Sequence, residues 1–102
     1  MNSKILTLLG FCSKAGKISY GMNTTVASLK SGAAKVVISA VDTSEKSKKE
    51  LIFHAEKYGT ESLILSVTAE ELSHAVGRRC SVLSVNDTGF ADAIKKYGKE
   101  TH

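Results

Sequence analysis

Apolar residues recur along the chain with the spacing of amphipathic helices. Ile5, Leu8, Leu9 and Cys12 follow the i, i+3, i+4, i+7 pattern, and Gly16 closes the helix that they predict. Turn or cap residues mark the starts of four more helices, and glycines mark the ends of three of them. These run from Gly21 to Gly32, from Glu45 to Tyr58 after Asp42, Thr43 and Ser44, from the capping-box pair Thr68 and Glu71 to Gly77, and from Asn86 and Asp87 through Tyr97.

Runs rich in β-branched residues alternate with these helices and predict four strands, at Ile18–Tyr20, Ala34–Ala40, Ser62–Val67 and Ser81–Val85. The second run is apolar almost throughout, which is typical of a central strand covered on both faces. Strands that alternate with helices at such short spacings indicate an α/β fold, a three-layer α/β/α sandwich with a four-stranded, largely parallel or mixed sheet. Because 102 residues suffice for one domain and not for two, residues 1–102 are predicted to form a single domain.

The turns that leave the predicted strands are the first place to look for a ligand. We expect all four, at Tyr20-Gly21, Val41-Asp42, Val67-Thr68 and Val85-Asp87, to emerge at one edge of the sheet together with helix N-termini. Open α/β sheets bind ligands at such an edge, where free backbone N–H groups and helix dipoles favour negative charge. The candidate binding loops are therefore Gly21-Met22-Asn23 and Ser66-Val67-Thr68.

Composition narrows the class of protein. A hydrophobic fraction of 42% and charges of both signs argue against disorder, and no internal period indicates a repeat protein. No apolar run approaches the roughly 18 residues that span a bilayer, and the N-terminal segment lacks a full signal-peptide core. Cys12 and Cys80 form no ligand-spaced pair. We therefore expect a cytoplasmic protein, bound to no membrane, without a disulfide framework or a structural zinc site.

The net charge of +4 is unevenly distributed. The part of the chain before Asp42 contains five lysines and no acidic residue, whereas the remainder has nine basic and ten acidic residues. Such asymmetry favours a surface that meets a polyanion, for which the phosphate backbone of a nucleic acid is the commonest candidate. The alternative is that the lysines only keep the protein soluble. The five lysines are Lys4, Lys14, Lys17, Lys30 and Lys35.

Several blocks of sequence, in order and at fixed spacing, resemble one known family. The first runs from Gly10 to Gly21 and leads through Asn23 into a helix and the strand Ala34–Ala40, and the later ones are 42–44 with the lysine-rich helix, 71–77 and 86–91. Together they resemble the kink-turn-binding ribosomal protein superfamily (the L-seven-Ae and L-thirty-e type), and most closely its small bacterial YlxQ-type members. The resemblance covers nearly the whole chain. It implies an L-thirty-e-like fold, no enzymatic activity, no cofactor, and binding to structured RNA.

Residue by residue, the resemblance implies an RNA-binding site. Family members that bind kink-turns use a G-x-N-E segment at a helix N-terminus against sheared G·A pairs, helped by a lysine one turn on. Gly21 and Asn23 match, while Thr24 stands where glutamate is usual and Ala27 where lysine is usual. An apolar loop after the third strand covers the extruded base, and in this chain the matching loop is expected at Ser66-Val67-Thr68, with Val67 as the apolar contact.

The residues themselves favour RNA independently. Lys14 and Lys17 flank the Gly21 turn, Asn23 offers both a donor and an acceptor, and Lys30 lies two turns along the same helical face. Some candidates for RNA contact also have a plainer interpretation. Asn23 is then a helix cap, and Tyr20 is a core aromatic rather than a base-stacking one. Lys46, Lys48 and Lys49 form a second basic run, which is then a solvated helix face. Arg78-Arg79 is expected at the opposite edge of the sheet, as surface or a secondary contact.

An enzyme is not indicated. Cys12 and Cys80 suit buried positions, His54, His74 and His102 have no metal-ligand spacing, and no nucleophile-elbow, Walker or dinucleotide motif occurs. The chain is therefore interpreted as a monomeric, non-enzymatic RNA-binding protein, ribosomal or ribosome-associated, with ribosomal proteins as further partners. The alternative function is a ribosome-associated protein adaptor whose RNA site has decayed, as Thr24 and Ala27 allow.

Overall fold

The computed structural model describes the backbone of residues 3–100 and the side chains of residues 4–98. These residues form five helices and four strands in the predicted order. The helices are α1 (Ser3–Lys14), α2 (Met22–Ser31), α3 (Glu45–Lys57), α4 (Ala69–Val76) and α5 (Thr88–Glu100). The strands are β1 (Ile18–Tyr20), β2 (Val36–Ala40), β3 (Glu61–Leu65) and β4 (Val82–Val85).

The four strands make one mixed sheet in the order β1-β4-β2-β3. β2 and β3 are parallel, whereas β4 runs antiparallel to both β1 and β2. The register places Leu83 of β4 opposite Tyr20 on one side and Ile38 on the other. Strands β1, β2 and β3 therefore point the same way, and β4 returns between β1 and β2.

Helices cover both faces of the sheet, which confirms the three-layer α/β/α sandwich. On one face, α1, α4 and α5 pack over the larger core cluster, which includes Ile5, Leu9, Ile38, Leu72 and Ile94. On the other face, α2 and α3 pack over a smaller cluster formed by Leu29, Ala34, Val37, Leu51, Ala55 and Val82. All five residues of β2 are buried, as expected of a central strand covered on both sides.

Strand ends differ from the prediction by one or two residues. β2 begins at Val36 and β4 at Val82, and β3 begins one residue earlier than predicted and ends at Leu65 instead of Val67. The chain leaves the β3 ladder early because Thr68 must turn to cap α4, accepting a hydrogen bond from the Glu71 N–H while the Glu71 side chain accepts one from the Thr68 N–H. The predicted capping box is confirmed.

The predicted cap of α5 is confirmed for Asp87, whose Oδ2 accepts a hydrogen bond from the Phe90 N–H at 2.9 Å. Asn86 is not part of the cap, because its side chain points back into the sheet. Within residues 3–100, no helix is both long and apolar enough to cross a membrane.

Candidate nucleic-acid interface

The antiparallel direction of β4 decides which loops meet at the candidate site. The ends of β1, β2 and β3 lie at one edge of the sheet, together with the start of β4, and we call this the binding edge. The prediction that the Val85-Asp87 turn emerges there is wrong, because the Asn86 N–H donates to the Lys17 carbonyl at the start of β1. The N-termini of α2, α3 and α4 lie at the binding edge, and that of α5 lies at the opposite edge.

Gly21 forms the sharp turn from β1 into α2. Its φ of 85° and ψ of 163° lie in a region that is essentially restricted to glycine. The Gly21 N–H donates to the Val82 carbonyl at 2.8 Å, which fixes the turn to β4. A Cβ at this position would meet no atom within 4 Å, so the surface above Gly21 is open to a ligand. Glycine is needed here for the backbone angles and not for space.

Asn23 is the second residue of α2 and does not cap it. Gly21 occupies the N-cap position, and no side chain caps the helix. The Asn23 side chain is exposed, and among the residues that the structure describes none hydrogen-bonds it. The interpretation of Asn23 as a helix cap is therefore wrong. Its amide donor and acceptor are both available at a helix N-terminus that is itself favourable for phosphate.

The remaining predicted residues of α2 fall into two groups. Thr24, Ala27 and Lys30 are exposed, and Lys30 lies in the last turn, about 10 Å along the helix from Asn23. Met22 is half-buried and packs against the Leu29 cluster beneath α2. It anchors the helix, whereas the other three line its surface.

A buried polar network holds α2 against the sheet. Ser28 of α2 shares a hydrogen bond of 2.5 Å with Ser19 of β1. The Asn86 side chain donates to Ser19 Oγ and accepts from Ser84 Oγ, both at 2.9 Å. Ser19, Ser28 and Ser84 are all buried, so this network satisfies hydroxyls that would otherwise destabilise the fold. It fixes the position of the helix that carries Asn23.

The second predicted loop is only partly available. The prediction that Val67 contacts an extruded base is wrong, because its side chain is 1% exposed and belongs to the larger core cluster. The Thr68 hydroxyl is engaged in the cap of α4, while Ser66 is exposed. The exposed apolar residue at this part of the binding edge is Val41, which is 47% exposed and donates its N–H to the Val67 carbonyl.

Arg78 and Arg79 are the site residues that sequence reasoning misplaced. Arg78 lies with its guanidinium carbon 4.7 Å from the centroid of the ring of Tyr20, the residue before Gly21. The prediction of the opposite edge is wrong, because the antiparallel β4 brings the segment before it to the binding edge. Both arginines are exposed and line an open cleft of about 950 Å³ beside α4. Their charge at an edge of helix N-termini makes them strong candidates for phosphate contacts.

Side-chain hydrogen bonds fix the segment that carries the arginines. Ser73 of α4 accepts from the Cys80 N–H at 2.9 Å, and Ser73 Oγ also lies 2.9 Å from the Cys80 carbonyl oxygen. Thr43 Oγ1 donates to the Ser81 carbonyl at 3.2 Å, and the Ala40 N–H donates to the same oxygen at 2.9 Å. The segment is thus tied to α4 and β2.

Tyr20 is a structural residue. Its ring packs against the larger core cluster, its hydroxyl hydrogen-bonds Ser13, and Arg78 covers it. These contacts favour the interpretation of Tyr20 as a core aromatic. Ser13 also donates to the Val76 carbonyl at 2.7 Å, so the same hydroxyl joins α1 to the end of α4.

The predicted lysines are dispersed. Lys17 immediately precedes β1 at the edge opposite Gly21, about 13 Å away along an extended chain of four residues. Lys14 ends α1 and lines a cleft between α1 and α4. Both are exposed, and neither makes a contact with the α2 N-terminus among the described residues.

Burial determines the chemistry of both cysteines. Cys12 is fully buried, and burial with the nearby Asp87 raises the pKa of its thiol to about 11, against a smaller opposing effect of Lys17. Burial likewise raises the pKa of Cys80, opposed by Arg78. Both thiols are protonated at neutral pH, which removes the thiolate that nucleophilic catalysis needs.

Comparison with known proteins identifies the family to which the sequence is similar. The ribosomal protein L7Ae/L30e/S12e/Gadd45 family matches residues 3–95 of the chain. The RNA-binding protein YlxQ of Enterococcus faecium is 31% identical over 93 residues, which cover 91% of this chain and 89% of that protein. The large ribosomal subunit protein eL30 of Candida glabrata is 35% identical over 83 residues, or 79% of each chain.

The fold has a solved counterpart as well. A Bacillus halodurans protein of unknown function superimposes with a TM-score of 0.87 at 24% identity, covering 92% of this chain and 95% of that protein. The α/β/α arrangement seen here is thus shared with a solved structure.

Proposed function

Because the chain belongs to the ribosomal protein L7Ae/L30e/S12e/Gadd45 family, we propose that it binds structured RNA, above all ribosomal RNA, and catalyses no reaction. The names of its relatives support this proposal, since one is an RNA-binding protein and the other a protein of the large ribosomal subunit. The protein would then act as a monomer in the cytoplasm, with ribosomal proteins as neighbours.

The observation that carries the proposal is the free N-terminus of α2. The open surface at Gly21 and the unpaired Asn23 amide lie at the binding edge, as does the segment before β4 that carries Arg78 and Arg79. This arrangement combines base-edge hydrogen bonding with phosphate contacts, which are the two parts of a nucleic-acid interface. Lys14, Lys17, Lys30, Ser66 and Thr68 are proposed as its outer contacts, and Val41 replaces Val67 as the apolar contact.

We further propose that the preferred RNA is a kink-turn. In this proposal Asn23 contacts the sheared G·A pairs, while Thr24 and Ala27 offer shorter, uncharged side chains where glutamate and lysine are usual in the family. Loss of a charged base-edge contact lowers discrimination by about 1–3 kcal/mol and leaves phosphate contacts in place. A weakened preference for kink-turns over plain duplexes is the expected outcome.

A gel-shift comparison tests both levels of the proposal. Wild-type protein is titrated against a kink-turn duplex and against the same duplex without its G·A pairs. Tighter binding of the kink-turn supports specific recognition, and equal binding of the two supports general RNA binding. No binding to either RNA would reject the proposed function.

A protein adaptor is the second candidate function, favoured by one exposed aromatic residue. Phe11 is 56% exposed and lines a cleft of about 690 Å³ between α1 and α4, on the sheet face away from α2. An apolar protein contact there would persist at high salt, whereas RNA binding weakens steeply. Pull-down of ribosomes at two salt concentrations, with Phe11→Ala as the comparison, separates the two functions.

A further inference from the structure

The outer face of α3 carries an exposed aromatic ring that the α2 site does not use. Phe53 is 63% exposed, the largest exposed fraction among the large hydrophobic residues that the structure describes. The buried residues Leu51 and Ala55 lie on the opposite side of the helix, so Phe53 points directly into solvent. Its ring makes an edge contact with the His54 ring at 5.4 Å and 76°.

Lysines bracket this ring along the helix. Lys49 and Lys57 lie four residues before and after Phe53, and Lys46 lies seven residues before it, so the four side chains form one stripe. We define the outer face of α3 as Lys46, Lys49, Phe53 and Lys57, all of which are exposed. Glu50 and Glu56 flank the stripe, which keeps an excess of positive charge.

Lys48 belongs to a different surface. Its Nζ donates to the Val41 carbonyl at 2.7 Å and lies 3.7 Å from Glu45 Oε1. Its charge is offset by that of Glu45, and its side chain, which is only 14% exposed, holds the start of α3 to Val41 at the end of β2. The charge available to a partner therefore comes from the lysines on the outer face.

The outer face of α3 continues the α2 surface. α2 and α3 pack against each other on the same face of the sheet, and both begin at the binding edge. Lys46 lies in the first turn of α3, and Phe53 lies about 10 Å further along the axis. An RNA held at the α2 N-terminus therefore has a path along α3.

We propose that the outer face of α3 binds a single-stranded segment of RNA that flanks the structured element held at α2, with a base stacked on Phe53 and phosphates at Lys46, Lys49 and Lys57. This inference rests on the proposed function and names a second part of its ligand. The segment must be single-stranded because bases within a duplex are covered by their neighbours and cannot stack on a ring that projects from a convex helix. Aromatic rings between basic residues are typical of such binding.

The test compares two RNAs by fluorescence anisotropy. One is the kink-turn duplex with blunt ends, and the other is the same duplex with a tail of about eight unpaired uridines. Wild-type protein is expected to bind the tailed RNA at least about 5-fold more tightly, since one stacked base supplies that much. Phe53→Ala should lose this gain and keep the affinity for blunt RNA, while Phe53→Tyr should retain the gain.

Variants on α1 and α5, which cover the other face of the sheet, are the matched controls for those on α3. Phe11→Ala, which also removes an exposed phenylalanine, should keep the full tail gain. Lys46→Gln combined with Lys49→Gln should lower the gain, whereas Lys95→Gln combined with Lys96→Gln on α5 should not. Thermal unfolding of each variant verifies that the exposed substitutions leave the fold intact.

The outcomes separate this inference from the proposed function. Wild-type protein that binds blunt RNA but gains nothing from the tail overturns the inference and leaves the proposed function standing. If the Phe53→Ala variant still binds the tailed RNA more tightly than the blunt RNA, to the same extent as wild-type protein, the inference is also overturned. The exposed ring would then be assigned to a protein contact. Failure to bind either RNA rejects both proposals together.

Discussion

At the scale of single residues, the α2 site depends on groups that the fold leaves unused. The Asn23 amide has no partner among the described residues, and Gly21 holds a conformation restricted to glycine without any steric need for a small residue. The exposed Asn23 amide therefore contributes no hydrogen bond to the stability of the fold. In the proposed function, this amide is the group that contacts RNA.

Replacement of Asn23 by alanine should reduce specificity without reducing stability. The affinity for the preferred RNA is expected to fall by about 1–3 kcal/mol, because one bidentate base contact is lost. Binding to random RNA and the free energy of unfolding should change little, since the side chain neither caps α2 nor contacts the core. Titrations with the preferred RNA and with random RNA measure the two affinities, and urea denaturation measures the free energy of unfolding. Thr7→Ala, at another exposed position, is the control. Equal losses for specific and random RNA would contradict a base-reading role.

Cys12 should make stability fall at alkaline pH. The pKa of its thiol rises from an ordinary value of 9.0 in the unfolded chain to about 11 in the folded protein, so the folded state favours the protonated form. The resulting stabilisation is complete below pH 9 and is lost as the pH rises towards 11, because the unfolded thiol ionises first.

Urea denaturation at pH 8 and pH 10 checks this expectation. Cys12→Ala should show a smaller loss of stability between the two pH values than wild-type protein, whatever its stability at pH 8. Cys80 is present in both proteins, so its own raised pKa cancels from the comparison. An identical loss in the two proteins would contradict the assignment.

At the scale of elements, α2 is a rigid carrier for the site. The Gly21–Val82 hydrogen bond fixes its start, the Ser19–Ser28 bond fixes its middle, and Gly32 ends it in a left-handed conformation with φ of 81°. Exposed residues on such a helix can be exchanged without moving its backbone. Specificity can therefore be altered on the surface of α2 while the helix stays in place.

The double change Thr24→Glu and Ala27→Lys should strengthen kink-turn binding. Both positions are exposed and lie three residues apart, so the new pair interacts within the helix and leaves the net charge unchanged. Glutamate at position 24 also faces the positive end of the helix dipole. We expect kink-turn affinity to rise by about 1–3 kcal/mol, with flat affinity for a mismatched duplex.

The reversed pair Thr24→Lys and Ala27→Glu is the matched control, with the same composition and net charge. It should not reproduce the gain, and both double variants are compared by gel shift against the two RNAs. Equal affinity of wild-type protein and the variant with Thr24→Glu and Ala27→Lys would show that the geometry of the site differs from that of kink-turn binders.

At the scale of the whole molecule, the direction in which each strand joins the sheet decides where the basic residues lie. Arg78 and Arg79 reach the binding edge because β4 runs antiparallel to its neighbours, and both line the cleft beside α4. Lys17 lies at the opposite edge of the sheet, and Lys14 lines the cleft between α1 and α4. We therefore expect the arginines to contribute more to phosphate binding than these lysines.

The salt dependence of RNA binding measures that difference. Arg79→Gln should lower the magnitude of the slope of log K against log salt by roughly 0.7–0.9, the value for one phosphate contact. The pair Lys14→Gln and Lys17→Gln should lower it by less per residue, and Lys96→Gln on α5 should not change it. A slope that Arg79→Gln leaves unchanged would place the phosphate contacts elsewhere, with Lys46 and Lys49 next to be tested.

Much of the fold was predictable from local patterns. The helix and strand order, the capping box at Thr68 and Glu71, and the buried β2 follow from periodicity and cap chemistry, which act over a few residues. Gly21 and Asn23 were identified in the same way, from a turn residue before a helix. The structure confirms the elements and gives Asn23 a position inside the helix instead of at its cap.

Long-range pairing decided the remainder, because the sequence of a strand does not specify the direction in which it joins a sheet. The amino-acid sequence by itself determined the α/β class, the element order and the polar start of α2. Only the tertiary structure decided that β4 returns antiparallel between β1 and β2, which moves Arg78 and Arg79 to the binding edge and the Val85-Asp87 turn away from it. It also decided that Val67 is buried and Val41 exposed, since burial depends on which helices cover the sheet.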